Sequence, residues 1–527
     1  MKIFWGRVCV LVLSVLLIVG VSPSWANNLS ISNVALGARD INTNTVVVKF
    51  DAGWDNSWRN KINHDAIWMT VRLYASDGVP VNKKLCQISA AGVTPTGFST
   101  GTQSGLELDV PADKTGVFLR RSENASPASV STQDVQVVID YSSCGFTTND
   151  QIMASVFGLE MVYIPQGAFY AGDNDASVAS LDQGSADSDP WYINSESALS
   201  VSNPASNGYR YVSNNNAGED AAGASFTIGA QFPKGYQAFY VMKYELTEGQ
   251  WVEFINSLPS AAARANRDLT DNSHKVSDTV LARNTISCSG SPLACSTERP
   301  SRAVSYLNWM DLSAFLDWAA LRPVTELEFE KIARGPALPI NGEYAWGTTG
   351  ITAVSVISGA EENGTEAVTT SGADAHFNNT TLSGGDTASG AEYQKGPLRA
   401  GILSTDSSTR LNAGAGYYGV MELSGNLKEP VVTAGNATGR NFLGTNGNGI
   451  LSTESGFEGN ADVTGWPGLD AVPARGVTAA TGSGLRGGSW MDTSDRLRIS
   501  DRFEAALDTT QALNTYGGRG ARTYDGN

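Results

Sequence analysis

Trp490, Asp492, Asp495, Arg496, Arg498, Asp501, Arg502, Arg519 and Arg522 gather an indole, carboxylates and guanidiniums into the last stretch of the chain. Arginine pairs bidentately with carboxylates and stacks on rings, and both Trp and Arg are favoured anchors at recognition surfaces. The chemistry that such a set supports is binding rather than bond-making. The alternative role is internal bracing, in which each guanidinium ties an acidic residue to loop carbonyls, as buried polar groups require.

Other chemistries find less in the chain. His64, His274 and His376 are scattered, with no H-x-x-x-H or HExxH spacing, so a zinc or non-haem iron centre built on histidines is not expected. No C-x-x-C occurs either. Gly482-x-Gly484-x-x-Gly487 spells a dinucleotide fingerprint, but no strand leads into it and no helix follows.

Lys2 and Arg7 precede an apolar run, Val8 to Val21, and Ser24-Trp25-Ala26 offers a small-residue cleavage site. The run is short against the about 20 residues of a membrane span, so an export signal cleaved after Ala26 is expected rather than a retained anchor. Cys86, Cys144, Cys288 and Cys295 then remain, and an even count in an exported chain predicts disulfides. Three pairings satisfy four cysteines. Cys86–Cys144, tying one module, and Cys288–Cys295, pinning a Gly/Ser/Pro loop, are preferred. The 36 basic and 53 acidic residues give −17, which becomes −19 once the two basic residues of the leader are removed. Such a field repels nucleic acid and anionic lipid, and suits solubility and calcium.

The elements that must carry these groups fall into two regions. Residues 27–157 read as β structure, with short β-branched runs Thr45–Phe50, Ala66–Tyr74, Gly116–Arg120 and Val135–Asp140 bounded by turn residues. A small all-β sandwich-like module is expected. Trp54, Trp58 and Trp68 form either its core and corner or a sugar-stacking platform, with packing preferred. Further on, Thr247-x-x-Gln250 caps a helix with Trp251, Phe254, Ile255 and Leu258 on one face. A second helix after Ser305 aligns Leu312, Phe315, Leu316 and Ala319, and Thr325-x-x-Glu328 caps a third with an acidic first turn. Residues 173–225 and 348–412 lack periodicity and read as loop insertions.

Several of these segments carry motifs in a set order. They are Gly158–Gly172 with its MVYIPQGAFYAG core, Glu245-Leu-Thr247, Arg322–Gly335, Tyr344-x-Trp346-Gly347, Gly416–Asn426 (GYYGVMELSGN), Arg486-Gly-Gly-Ser-Trp490 and a closing Gly520-Ala-Arg522. Together they resemble the formylglycine-generating, or sulfatase-modifying, enzyme family across 158–522. The resemblance implies an α+β, C-type-lectin-like domain over 158–527, and the N-terminal part is similar to a module of exported members. In the family's copper oxidases a cysteine pair begins two residues after the RGGS aromatic; here those positions hold Asp492 and Leu497. Soft sulfur ligands select copper(I), so copper is not expected, and nothing resembles the histidine-bearing helical domain of the family's iron-dependent sulfoxide synthases.

The resemblance also places a ligand groove over Trp490, Asp492, Asp495, Arg496, Arg498 and Arg502. Bracing is preferred for Arg486 and Arg522, whereas Arg496, Arg498 and Arg502 remain open to either role, since an R-x-R alternation sends side chains to opposite faces. Family members carry structural calcium near a GNxWEW turn, matched by Gly425–Pro430, so Asn426 and Glu429 are candidate calcium ligands. Lys428 and Pro430 replace both tryptophans of that motif, and a metal-free turn is the alternative. The expectation is an exported, non-catalytic binding or structural protein, periplasmic, at the cell surface or secreted, with a protein or glycan ligand. An active oxidase with a rearranged site, and a matrix or filament subunit, are the competing readings.

Overall fold

Alternation decides the first half of the chain. In the computed structural model, which describes residues 28–524 apart from 77–81, 175, 184–188, 203–207, 360–365 and 406–407, the longer N-terminal strands are β1 (Ser30–Asp40), β2 (Thr45–Arg59), β3 (Asp65–Ala75), β4 (Leu106–Val110), β5 (Val117–Arg121), β6 (Ala125–Asp140) and β7 (Ile152–Ile164). The expected leader lies outside the described residues. In β2 buried and half-buried residues alternate from Thr45 to Trp54, turning Val46, Val48, Phe50 and Trp54 to one face. That sheet, ordered β1-β2-β6 with Gln87–Ile88 at its edge, packs on the inner face of a second sheet. Ile67, Met69, Val71 and Leu73 of β3 meet it there.

The second sheet does not stop at the N-terminal half. Downstream strands are β8 (Phe239–Met242), β9 (Glu429–Val432), β10 (Ser483–Arg486) and β11 (Gly520–Thr523). The sheet runs from Arg322–Pro323 through β11, β8, β7, β3, β5 and β4 to Gly92–Val93. Strand β7 pairs with β3 from Ile152 to Val162 and with β8 from Met161 to Ile164. The boundary expected between 157 and 158 therefore lies inside β7, where Gly158 faces Met69 across an unbroken ladder. On the opposite face of β3, Ala66 and Trp68 join the core of the larger domain, beside Leu159 and Met161 of β7. Trp54 and Trp68 are thus packing residues, and their indole N–H groups reach Asp65 at 3.0 Å and the Ala319 carbonyl at 2.9 Å. Trp58 is only partly buried.

Helices follow the local signals. Thr247–Gln250, Asn308–Asp311 and Thr325–Glu328 form reciprocal capping boxes for α1 (Glu248–Ser257), α2 (Trp309–Trp318) and α3 (Glu326–Arg334). Trp251, Phe254 and Ile255 of α1 and Leu312, Phe315 and Leu316 of α2 share one core. In α3 every residue is buried, so its acidic turn does more than complement the helix dipole. Glu328 takes Arg322 at 2.7 Å, and Glu330 takes Arg334 at 3.0 Å.

Both insertions hold more order than their composition announces. In the first, Asp189–Ile193 pairs with Phe169–Ala171, and Leu199–Val201 with Phe226–Ile228. Trp191, fully buried, donates to the carbonyls of Asp182 and Arg210. Distant ladder partners and one anchoring indole replace periodicity there. The second insertion keeps a small core of its own from Val354, Ile357, Leu382, Leu398 and Ile402.

Cys86 is bonded to Cys144, and Cys288 to Cys295. Such cross-links form in oxidising compartments. Among the described residues no helix is long and apolar enough to cross a membrane. The chain-entropy model scales with loop length, and the two bonds close separations of 58 and 7 residues. Replacing Cys86 and Cys144 by alanine is expected to lower the unfolding free energy by about 4 kcal/mol, against about 2 kcal/mol for the Cys288/Cys295 pair, measured by denaturant titration.

Candidate functional site

Strands β9 and β10 pair with Glu429 facing Arg486, which brings the RGGSW turn beside Lys428. Trp490 does not face a groove. It is 3 % exposed, its backbone N–H meets the Asn426 carbonyl at 2.8 Å, and its indole N–H meets that of Asn514 at 3.1 Å. Asp492 accepts from the Ser489 N–H at 2.9 Å and hydroxyl at 2.5 Å, with Lys428 Nζ 3.4 Å from its other oxygen. Lys428 also holds Glu504 at 2.6 Å. Leu497 is fully buried in a core with Phe329, Leu423 and Ile499. One position of the expected metal pair is an ion-paired carboxylate and the other a hydrophobe.

Beside this turn lies a small polar pit between Lys428, Arg486, Arg496, Asp501, Phe503 and Glu504. Its free volume is about 10 Å³, the room of one water. Arg496 lies along its rim, its guanidinium 3.6 Å over the Phe503 ring and 3.2 Å from Asp501. Burial is the main cause that lifts the Asp501 carboxyl to about 6. Asp495 sits outside, bonded to the Thr493 hydroxyl, which holds its carboxyl below the usual range.

The remaining arginines are braces. Arg502 is fully buried, 2.7 Å from Glu326, and donates to the Ala179 and Val212 carbonyls at 2.9 and 2.8 Å. Arg486 reaches Glu330 at 3.1 Å and Glu326 at 3.6 Å. Arg498 donates to the Ala176 carbonyl at 2.6 Å. Arg522 pairs with Asp113 and lies 4.0 Å over the Trp68 ring. Of the groove candidates, the structure brings Asp492 and Arg496 to the pit's surroundings, while Trp490, Arg498 and Arg502 are spent on internal contacts. Lys428, Glu504 and Phe503 are the pit residues that sequence reasoning passed over. The signal was present at Lys428, a cation where the motif carries tryptophan, complementing a carboxylate where it carries cysteine.

The Gly425–Pro430 turn is occupied in a different way. Arg519 clasps both oxygens of Glu429 at 2.6 Å and also donates to the carbonyls of Met242, Lys243 and Met421. Asn426 gives its amide N–H to Glu245, and its oxygen accepts from the Leu398 N–H at 2.8 Å. Glu245 and Glu422 stand beside the Glu429–Arg519 pair, so three carboxyl groups share the neighbourhood of Arg519. Burial first, then its acidic neighbours Glu429 and Glu422, holds Glu245 well above the ordinary carboxylate range, and burial lifts Glu422 to about 7. Calcium needs several oxygens converging on one point. Here the oxygens of Asn426 and Glu429 are taken, and a cation would have to displace Arg519. Among the described residues no group of three or more His, Cys, Asp or Glu side chains is arranged to hold a metal. These residues do not fit the ion.

Compared with known families, residues 158–524 match the model of the sulfatase-modifying factor enzyme 1-like domain. A search of curated proteins returned no match.

Two outcomes follow from the placement of these charges. Removing Arg502 strands a buried Glu326, so Arg502→Ala is expected to cost about 3–5 kcal/mol of stability, whereas Arg496→Ala, partly exposed, costs about 1 kcal/mol or less, read by chemical denaturation. A carboxyl with its folded pKa raised binds protons more readily folded than unfolded, so its folded state gains as pH falls through that window and loses as pH rises. Glu422→Gln is therefore expected to become progressively more stable than the parent between pH 5 and 8, with little difference below, checked by melting temperatures across that range.

Proposed function

The chain belongs to the sulfatase-modifying factor enzyme 1-like family, and within it we propose a non-catalytic member that keeps the domain as a ligand-binding scaffold of the lectin type. One observation carries this reading: Asp492 and Leu497 stand where the resemblance expects the thiol pair, the first locked to Lys428 and Ser489 and the second sealed in the core. Copper(I) asks for soft, adjacent sulfur donors. A carboxylate already paired with an ammonium and a buried isobutyl group offer neither.

The other cysteines supply no substitute. All four within the described residues are consumed in disulfides, so none presents a thiolate to a metal or a substrate. The pit beside the RGGSW turn has room for a water rather than for a peptide. Lys428, Asp492 and Glu504 form a charge-linked plug there. The outward-facing groups that remain, Arg496 and Asp495, suit a polar contact with a protein or glycan outside the cell. Site function resides in such side chains and not in the fold that carries them.

Purified protein, supplied with copper(I) and oxygen, is expected to leave a cysteine-containing sulfatase-type peptide unchanged by mass spectrometry and to retain no copper through gel filtration. Conversion of the peptide cysteine to the aldehyde would overturn the reading, and loss of that conversion in Asp492→Ala would assign it to this turn.

A further inference from the structure

Residues 271–281 cross the surface between the short helix Ala261–Ala265 and the hairpin of Ser287–Ser289 with Ala294–Ser296. They form turns, with no helix or strand among them. Val276, Val280 and Leu281 are exposed, and Val276 and Ser277 stand in the left-handed region at φ +55° and +63°. A β-branched residue is strained there, and such a conformation persists only where the surroundings impose it. The segment keeps its shape through its anchors.

At one end the His274 ring meets Asp311 of α2, Nε2 to Oδ2, at 2.8 Å. Asp311 is a shared hub: it also pairs with Arg267 at 2.9 Å and accepts the Asn308 N–H at 3.1 Å, closing the cap of α2. In the middle, the Lys275 ammonium lies 5.1 Å over the Tyr306 ring, whose hydroxyl donates to the Asp278 carboxylate at 3.2 Å and to the Val280 carbonyl. At the other end Glu392 accepts the Leu281 N–H at 2.9 Å. Ala282, next along, shares a small core with Leu427 and Trp490, so the segment borders the RGGSW turn.

Among these anchors His274 alone is of a type that ordinarily changes charge between pH 5 and 8. The Asp311 carboxylate holds the His274 imidazolium above the usual histidine range, with Asp268 adding to the effect and burial and Arg267 opposing it. Asp271, on the segment itself, also interacts with the ring's charge. His64 and His376 offer no such change, because burial above all holds them down to about 2 and about 4. A histidine raised in the anchored state binds its proton more tightly there than when released. Anchorage is therefore strongest below the free value of 6.5 and weakens as pH rises through the anchored one.

We propose that residues 271–281 act as a pH-sensitive strap beside the RGGSW turn, latched by His274 on Asp311 in acid and opening more readily as the medium turns alkaline. The strain at Val276 and Ser277 favours opening once the latch weakens. The device depends on the His274 contact and not on whether the RGGSW turn is catalytic.

The test is hydrogen exchange followed by mass spectrometry on the full exported protein between about pH 5.5 and 8.5, with each rate divided by the intrinsic rate at that pH. Protection of the peptide spanning 271–281, relative to peptides from β3, is expected to fall by about threefold or more across this range. In His274→Gln, which keeps a donor for Asp311 but no titrating group, the same ratio is expected to stay flat. Trypsin cleavage after Lys275 in the parent, scaled to a free peptide of the same sequence, is expected to accelerate over the same range, and it decides the matter if the variant fails to fold. A ratio that is constant or rises with pH in the parent, a decline undiminished in folded His274→Gln, or cleavage that does not accelerate each overturns the proposal.

Discussion

Strand β3 has no solvent face, and most of the architecture follows from that. From Asp65 to Leu73 every residue is buried, because alternate side chains feed two different cores. A strand of this kind cannot be a sandwich edge in one domain and a covered surface in another without both being present. Its neighbour β7 extends the arrangement, pairing with β3 over most of its length and with β8 at its end. The apolar gain on each side is of the kind that dominates folding. The two regions that composition separates are one structure at their centre.

Around that sheet, buried arginines add fixed contacts to the apolar packing of the family domain. Arg322, Arg334, Arg486, Arg502 and Arg519 are each nearly or fully buried, and each meets at least one carboxylate. Their guanidinium forks also satisfy loop carbonyls that long irregular segments would otherwise leave unpaired. Buried pairs contribute modestly to net stability but are costly to break. A domain with so few helices and such long connections needs that kind of fixing, and the C-terminal arginines are largely absorbed by it. The candidate groove shrinks accordingly to a pit and its rim.

What was legible in the sequence was local. Capping boxes at Thr247 and Thr325 and the apolar stripe of α1 are set by residues three or four apart, and they formed where read. The preferred cysteine pairs also formed, one spanning a short hairpin of Ser287–Ser289 with Ala294–Ser296. The ordered motifs marked the family domain to within a few residues of the 158–524 match. What stayed hidden was long-range. Arg502 finds Glu326 across 176 residues, and the strands of the first insertion find partners outside any local pattern. No spacing rule connects Lys428 to Asp492, and the role of each depends on the other. Trp58 could be told from Trp54 and Trp68 only once the sheets had closed over the latter two.

The ladder through Gly158 also constrains where the chain can be divided. A division between 157 and 158 would sever β7 within its ladder to β3. The same continuity places residues 65–75 and Gly520–Thr523 in one sheet, with β7 and β8 between them.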